Sequence, residues 1–114
     1  MSETVPEAVL QNQIRLALGR EPGVTLWRNN TGVAEHRGAR VRYGLCVGSA
    51  DLIGILAPAG RFFALEIKTA TGRVSPDQVR FLNLVRNRGG FAAVVRSVDE
   101  ARDALERARM GELE

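Results

Sequence analysis

Residues 49–68 constrain the fold most, because two short apolar runs there carry charges where a buried strand should have none. A turn at residues 58–60 separates the runs, so they predict a β-hairpin. Asp51 begins the first run, and Glu66 and Lys68 end the second on one face of the strand. Depending on register, Asp51 lies roughly opposite Glu66 or Lys68. Two carboxylates and an ammonium would then share one small patch, which is typical of a metal site.

The length and composition indicate one ordinary globular domain. A chain of 114 residues with 45% apolar and 25% charged residues is long enough for one core and too rich in apolar residues for disorder. The net charge is +3, and Lys68 is the only lysine among 16 basic residues. Arginine forks suit phosphate better than lysine does, so the composition is compatible with a nucleic-acid partner. A GC-rich genome would give the same bias.

Several classes of protein are excluded by single residues. Cys46 is the only cysteine and His36 the only histidine, so neither a thiolate metal cluster nor a helical HExxH site is available. The first residues lack the basic and apolar regions of a signal peptide. No apolar run approaches the roughly 20 residues of a membrane helix. We therefore expect a reduced, cytosolic protein without a membrane partner.

Periodicity and turn residues predict three helices and four strands. In chain order these are a helix at 6–18, a strand at 24–28, the two hairpin strands, a helix beginning after Ser75, a strand at 91–96 and a helix at 98–109. The wholly apolar run at 91–96 predicts a central strand. Because a helix joins it to the strand ending at Lys68, that pair should be parallel. The predicted fold is α/β, a mixed sheet flanked by helices in the order α-β-β-β-α-β-α.

The polar segment at residues 33–48 has little helical periodicity and predicts a loop or an irregular hairpin with residues 39–43 extended. Its arginines make it a candidate DNA-facing surface. A solvated loop is the structural alternative.

Two helix starts carry residues with two possible roles. Ser75 and Gln78 form a capping box, and Gln78 also begins the helix directly after the charged strand. The buried stripe of that helix is predicted at Phe81, Val79, Leu82 and Val85. Near the N-terminus, Glu7 precedes Leu10 and Ile14 by three and seven residues, which places it on a buried helix stripe. A capping box with Thr4 explains Glu7 equally well.

The charged patch has the ligands of a hard divalent cation. Mg²⁺ binds oxygen, typically one or two carboxylates, and Asp51 and Glu66 would supply these, with the backbone carbonyl of Ile67 as a third contact. Lys68 lies on the same face and would orient the attacking water or stabilise transition-state charge. Metal-assisted phosphodiester hydrolysis would use these parts. A Glu-x-Lys pair alone is usually a plain ion pair; apolar flanks, Asp51 and Gln78 favour the catalytic interpretation.

These residues carry a family resemblance. Asp51, then Glu66-Ile67-Lys68, then Ser75-x-x-Gln78 resemble the PD-(D/E)XK nuclease superfamily and, more narrowly, the virus-type replication-repair nuclease (VRR-NUC) domain. The segments WRNNTG at 27–32, GSADLIG at 48–54 and LEIK at 65–68 are similar to that family's motifs. Ala50 stands where the superfamily's name has proline.

The resemblance implies a restriction-endonuclease-like core and DNA cleavage that depends on Mg²⁺ or Mn²⁺. It makes Asp51 and Glu66 metal ligands, Lys68 the catalytic lysine, Gln78 a glutamine near the active site, and Glu7 the acidic residue of the first helix. Stand-alone domains of this kind, often encoded by phages, resemble Holliday-junction resolvases that act as homodimers on branched DNA. The cytosol of a bacterium or a phage-infected host would be the compartment.

Six polar side chains are the expected DNA contacts, mostly to phosphate and therefore without base specificity: Arg28, Asn30, Arg37, Arg40, Arg42 and Arg73. Two other functions are compatible with the sequence. One is a non-catalytic DNA-binding module that retains the nuclease fold. The other is an interaction protein whose basic loop contacts an acidic partner.

Overall fold

Caps and turn glycines divide the chain into three helices and six strands over residues 5–114, the part that this computed structural model describes. The elements are α1 (Glu7–Gly19), β1 (Val24–Arg28), β2 (Gly32–His36), β3 (Ala39–Tyr43), β4 (Leu52–Leu56), β5 (Arg61–Ile67), α2 (Pro76–Asn87), β6 (Phe91–Val95) and α3 (Val98–Arg109). Apart from β2 and β3, this is the predicted α/β order, which is confirmed.

The main sheet has the strand order β1-β4-β5-β6. The β1–β4 and β4–β5 pairs are antiparallel, and β5–β6 is parallel, as its helical connection predicts. In the β4–β5 register Leu52 pairs with Leu65. The same register directs Asp51 toward Glu66 rather than Lys68, which settles the alternative that the sequence left open.

The two faces of the sheet are packed differently because of the alternation along β5. Phe63, Leu65 and Ile67 point into the larger core cluster, which includes buried residues of α1 and α3. Ala64 points the other way, toward α2 and its buried Leu82. Small side chains on this second face let α2 lie close to the sheet.

The helix stripes follow the predicted pattern with one exception. Leu10, Ile14 and Leu18 are buried on α1, and α2 buries Leu82 and Val85. The exception is the predicted core position Val79, whose exposed fraction is 44%. It lies in the first turn of α2, directly after Gln78.

The prediction of a central strand at residues 91–96 is wrong, because β6 lies at the edge of the described sheet. Its apolar sequence reflects burial on both faces, since buried residues of α3 and of α2 pack on opposite sides of it. The C-terminal segment also covers its outer edge. The Ala92 N–H donates to the carbonyl of Leu113 at 3.0 Å, and Arg86 Nη2 donates to the Ala92 carbonyl at 2.8 Å.

Residues 32–43 form a regular hairpin, where the sequence predicted a loop or an irregular hairpin. β2 and β3 make a separate two-stranded antiparallel sheet in which Gly32 pairs with Tyr43 and His36 with Ala39. Arg37 and Gly38 connect them with φ values of 51° and 80°. Two positive φ values in a two-residue loop match the right-handed twist of the flanking strands. Because every strand residue except Gly32 is exposed, the sequence has no alternation of buried and exposed positions from which to predict this hairpin.

The close approach of β1 and β4 gives a test of the packing. A Cβ at Gly54 would collide with the backbone oxygen of Thr25, whereas a Cβ at Gly19 would meet nothing within 4 Å. We expect Gly54→Ala to lower the free energy of unfolding by about 1–3 kcal/mol, because backbone must shift to relieve the overlap. Gly19→Ala should be neutral or stabilise by up to about 1 kcal/mol. Equal midpoints for the two variants in urea unfolding would contradict this packing.

Candidate active site

Glu66 is the buried charged residue of the described chain, with an exposed fraction of 1%. Its Oε1 accepts a hydrogen bond from Gln78 Nε2 at 3.0 Å and lies 3.5 Å from Lys68 Nζ. Its Oε2 is buried without a hydrogen-bond partner among the described residues. A buried polar atom normally has a partner, so the missing partner of this oxygen needs an explanation, such as a ligand that binds here.

Asp51 is held beside Glu66 by the backbone. It directly precedes β4, and its Oδ2 accepts the N–H of Ile67 at 2.8 Å. Because the N–H and C=O groups of one strand residue point to the same side, the Ile67 carbonyl also faces Asp51. The two predicted carboxylates and the predicted carbonyl therefore lie together at one end of β4 and β5.

The pKa of the Glu66 carboxyl is raised from 4.5 to about 8. Burial is the main cause, and the nearby Asp51 carboxylate adds to it. Two carboxylates are both acceptors, so they share a hydrogen bond only when one of them holds a proton. The ammonium of Lys68 opposes this shift by favouring the charged form.

Gln78 has two roles at once. Its Oε1 accepts the N–H of Ser75 at 2.8 Å, and its own N–H donates to Ser75 Oγ at 3.2 Å, which completes the predicted capping box. The cap uses the amide oxygen, so the amide nitrogen is left to donate to Glu66. The helix start and the acidic site are therefore fixed by the same side chain.

Two positioning residues were not predicted from the sequence. Asn29, next to the predicted Asn30, donates its N–H to the Asp51 carbonyl at 2.9 Å and its Nδ2 to Ser49 Oγ at 2.7 Å. Arg96 Nη1 donates to the carbonyls of Thr69 and Gly72, each at 2.7 Å, and so fixes the loop after Lys68. The signal for Asn29 was its place at a strand end, where Asn side chains commonly bond to backbone. Arg96 had no local signal.

The site fits a divalent cation with few protein ligands. No group of three or more His, Cys, Asp or Glu side chains with metal-binding geometry occurs among residues 5–114. Mg²⁺ needs only one or two carboxylates, since water and substrate phosphate complete its octahedral shell. Asp51 and the unpartnered Oε2 of Glu66 are such a pair.

Glu7 is not brought into this pair. It is the first residue of α1, is half-buried, and its Oε1 accepts from Gln11 Nε2 at 3.4 Å. Pro6 is the N-cap and provides no side-chain cap, while Thr4, the other half of the alternative capping box, lies outside the described residues. A catalytic role for Glu7 stays a prediction.

The predicted DNA contacts are exposed and belong to three places: the end of β1, the β2–β3 hairpin, and the loop after Lys68. The residues are Arg28 and Asn30, then Arg37, Arg40 and Arg42, then Arg73. The first place lies at the same end of the sheet as the acidic pair, because Arg28 pairs with Leu52, the residue after Asp51. The hairpin leaves the sheet from this end.

Comparison with known proteins identifies the class. The α/β core with an acidic pair at one end of its strands is a nuclease-type fold, and the chain matches the VRR-NUC domain family over residues 6–99. A solved structure described as a VRR_NUC domain is 24% identical to it, with 88% of this chain and 94% of that chain covered and a TM-score of 0.56. No curated protein gives a significant match. The chain belongs to the VRR-NUC domain family, as the motifs predicted.

None of the helices in the described residues has the length and apolar character needed to cross a bilayer.

The raised pKa of Glu66 predicts a pH-dependent stability in EDTA. The folded state holds this proton more tightly than the unfolded state, whose pKa is 4.5. The contribution is therefore complete below pH 4.5 and is lost as the pH rises through about 8. We expect the free energy of unfolding to fall by a few kcal/mol over this range in the wild type and to fall much less in Glu66→Gln.

The exposed Glu112→Gln variant makes the same chemical change away from the site, so its profile should follow the wild type. Parallel urea-unfolding profiles for all three proteins would show that Glu66 is not a perturbed acid.

Proposed function

We propose that this protein is a metal-dependent DNA endonuclease that hydrolyses phosphodiester bonds and selects branched DNA, as Holliday-junction resolvases do. The observation that carries the proposal is the buried Glu66 carboxylate, with one oxygen unpartnered among the described residues and Asp51 beside it. A protein gains no stability by burying such an acid, so a ligand best explains its presence. Membership of the VRR-NUC family supports phosphodiester hydrolysis over other metal chemistry.

Asp51, Glu66 and the Ile67 carbonyl would hold Mg²⁺, with Mn²⁺ as a substitute of similar ligand preference. A divalent cation there supplies Lewis-acid polarisation of the phosphodiester and activation of water. Asp51 cannot rotate freely, because the Ile67 N–H holds its Oδ2. Gln78 holds Glu66 by Oε1, which leaves Oε2 as the ligand atom.

Lys68 is the proposed catalytic lysine. Its side chain is only 12% exposed, and Nζ lies 3.5 Å from Glu66 Oε1, next to the proposed cation site. An ammonium beside the cation would stabilise the negative charge that develops on the phosphate during in-line attack, and it would orient the attacking water. Arg96 keeps the following loop in place, so the position of Lys68 depends on backbone that is itself restrained.

The cleavage test uses nicked, flapped, four-way-junction and linear DNA, each in Mg²⁺, in Mn²⁺ and in EDTA. We expect metal-dependent cleavage with preference for the branched substrates. Lys68→Ala should reduce the rate about 10²–10³-fold, because it removes one charge-stabilising donor, and Asp51→Asn at least as much, because it removes a ligand.

Asp103→Asn is the matched control, since Asp103 pairs with Arg107 on the surface of α3. Wild-type rates for Lys68→Ala or Asp51→Asn on a junction would refute the proposal. Binding without cleavage in either ion would instead identify the non-catalytic DNA-binding module, and the absence of any DNA affinity would favour the protein-interaction alternative.

We also propose a homodimer, because symmetrical cleavage of two strands needs two sites. The residues just before and just after β1, Gly23 and Asn29, form backbone hydrogen bonds on the side of β4. Backbone groups of alternate strand residues point to opposite sides, so those of Leu26 point away from β4, to the open edge. This edge contains neither proline nor lysine, exposed Leu16 of α1 lies beside it, and Trp27 on β1 itself is also exposed. An open edge of this kind is a template for pairing with a second chain.

Sedimentation velocity tests the dimer. Leu16→Glu should shift the wild-type dimer toward monomer by placing a carboxylate beside the shared edge. The control Leu84→Glu introduces the same charge on α2 and should leave the dimer intact. The two leucines are matched in exposure, at 50% for Leu84 and 46% for Leu16. A wild type that sediments as a monomer at tens of micromolar would overturn this part of the proposal.

A further inference from the structure

The β2–β3 hairpin stands apart from the rest of the protein. Its strands pair only with each other, and every residue of both strands except Gly32 is exposed. A two-stranded hairpin without a packed face is marginally stable in water. The hairpin therefore contributes little to the core, and its exposed strands are accessible to a ligand.

Charge is concentrated on one face of this hairpin. Residues that pair directly across an antiparallel ladder share a face, so Val33 with Arg42 and Glu35 with Arg40 place both arginines on the same side. Arg37 lies at the tip. None of the ion pairs within residues 5–114 involves these arginines, so their guanidinium groups are available to an anionic partner.

The base of the hairpin is fixed next to the acidic pair. Gly44 has φ +86°, and a Cβ there would lie 2.8 Å from the Cα of Thr31, so the two chain segments cross in close contact. Asn29, directly after β1, is hydrogen-bonded to Ser49 and Asp51, so the two ends of the segment that carries the hairpin are joined. A ligand on the hairpin is therefore held in a defined direction from Asp51.

We infer that the β2–β3 hairpin lies in the major groove of a B-form DNA duplex, where Arg37, Arg40 and Arg42 bind the flanking phosphates. The inference rests on the proposed function, since it assumes a DNA substrate. Each strand has five residues, which at about 3.3 Å per residue gives a ribbon about 16 Å long. The major groove, about 12 Å wide, admits a two-stranded ribbon. The hairpin thus binds one duplex arm independently of the cation and directs the adjacent strand to the acidic pair.

The test measures binding in EDTA, by fluorescence anisotropy, to a DNA duplex and to an RNA duplex of the same sequence. A-form RNA has a deep, narrow major groove that side chains do not enter, so it should bind much more weakly than DNA. In the double variant Arg40→Ala/Arg42→Ala, the plot of log K against log salt concentration should become less steep by about 2. Each lost phosphate contact reduces the magnitude of the slope by roughly 0.9.

Arg20→Ala/Arg102→Ala makes the same change at two exposed arginines, one directly after α1 and one on α3, and should leave the slope unchanged. Dimethyl sulfate probing should show protection of guanine N7 in the major groove, lost in the hairpin variant. Equal affinity for RNA and DNA, or protection confined to adenine N3 in the minor groove, would overturn the inference.

The two proposals fail separately. Groove protection and the reduced slope without any cleavage in Mg²⁺ would uphold the hairpin inference and defeat the nuclease. Junction cleavage by the wild type, together with unchanged DNA binding by Arg40→Ala/Arg42→Ala, would support the nuclease and refute the hairpin inference. Circular dichroism of each variant confirms the fold before binding is compared.

Discussion

The hydrogen bond from Gln78 to the buried carboxylate of Glu66 is the contact on which the site depends. It needs α2 to lie close to β5, and the small Ala64 and Ala92 on that face of the sheet allow this. It also needs the amide of Gln78 to be oriented, which the cap with Ser75 achieves. Packing, helix capping and the acidic site are therefore one connected arrangement.

The same arrangement opposes stability. Burying Glu66 beside Asp51 raises its pKa to about 8, so near neutral pH a free-energy penalty attaches to its ionised form. A leucine would fill this position without that penalty. The Ile67 N–H, which holds Asp51, and the Arg96 side chain, which holds the loop after Lys68, keep the three charged groups close despite this penalty. Such locally unfavourable groups, supported by their surroundings, are typical of functional sites.

Strand periodicity and caps made much of this architecture predictable from the sequence. The alternation along β5 placed Glu66 on the other face of the sheet from the large core residues. The turn at residues 58–60 brought Asp51 next to Glu66. Contacts between distant segments were not predictable. Arg96, directly after β6, restrains the Lys68 loop. The C-terminal segment covers the outer edge of β6, so an edge strand has the composition of a central one. The β2–β3 hairpin lacks a buried face, and so it lacks the pattern that predicts strands.

Calorimetric titration with Mn²⁺ at neutral pH, in the absence of DNA, tests most directly whether the acidic pair is a metal site. The account predicts saturable binding at one site or two adjacent sites in the wild type and in Asp103→Asn, and its loss in Asp51→Asn and Glu66→Gln. Unchanged binding by both site variants would contradict it, because the cation would then be held elsewhere on the protein.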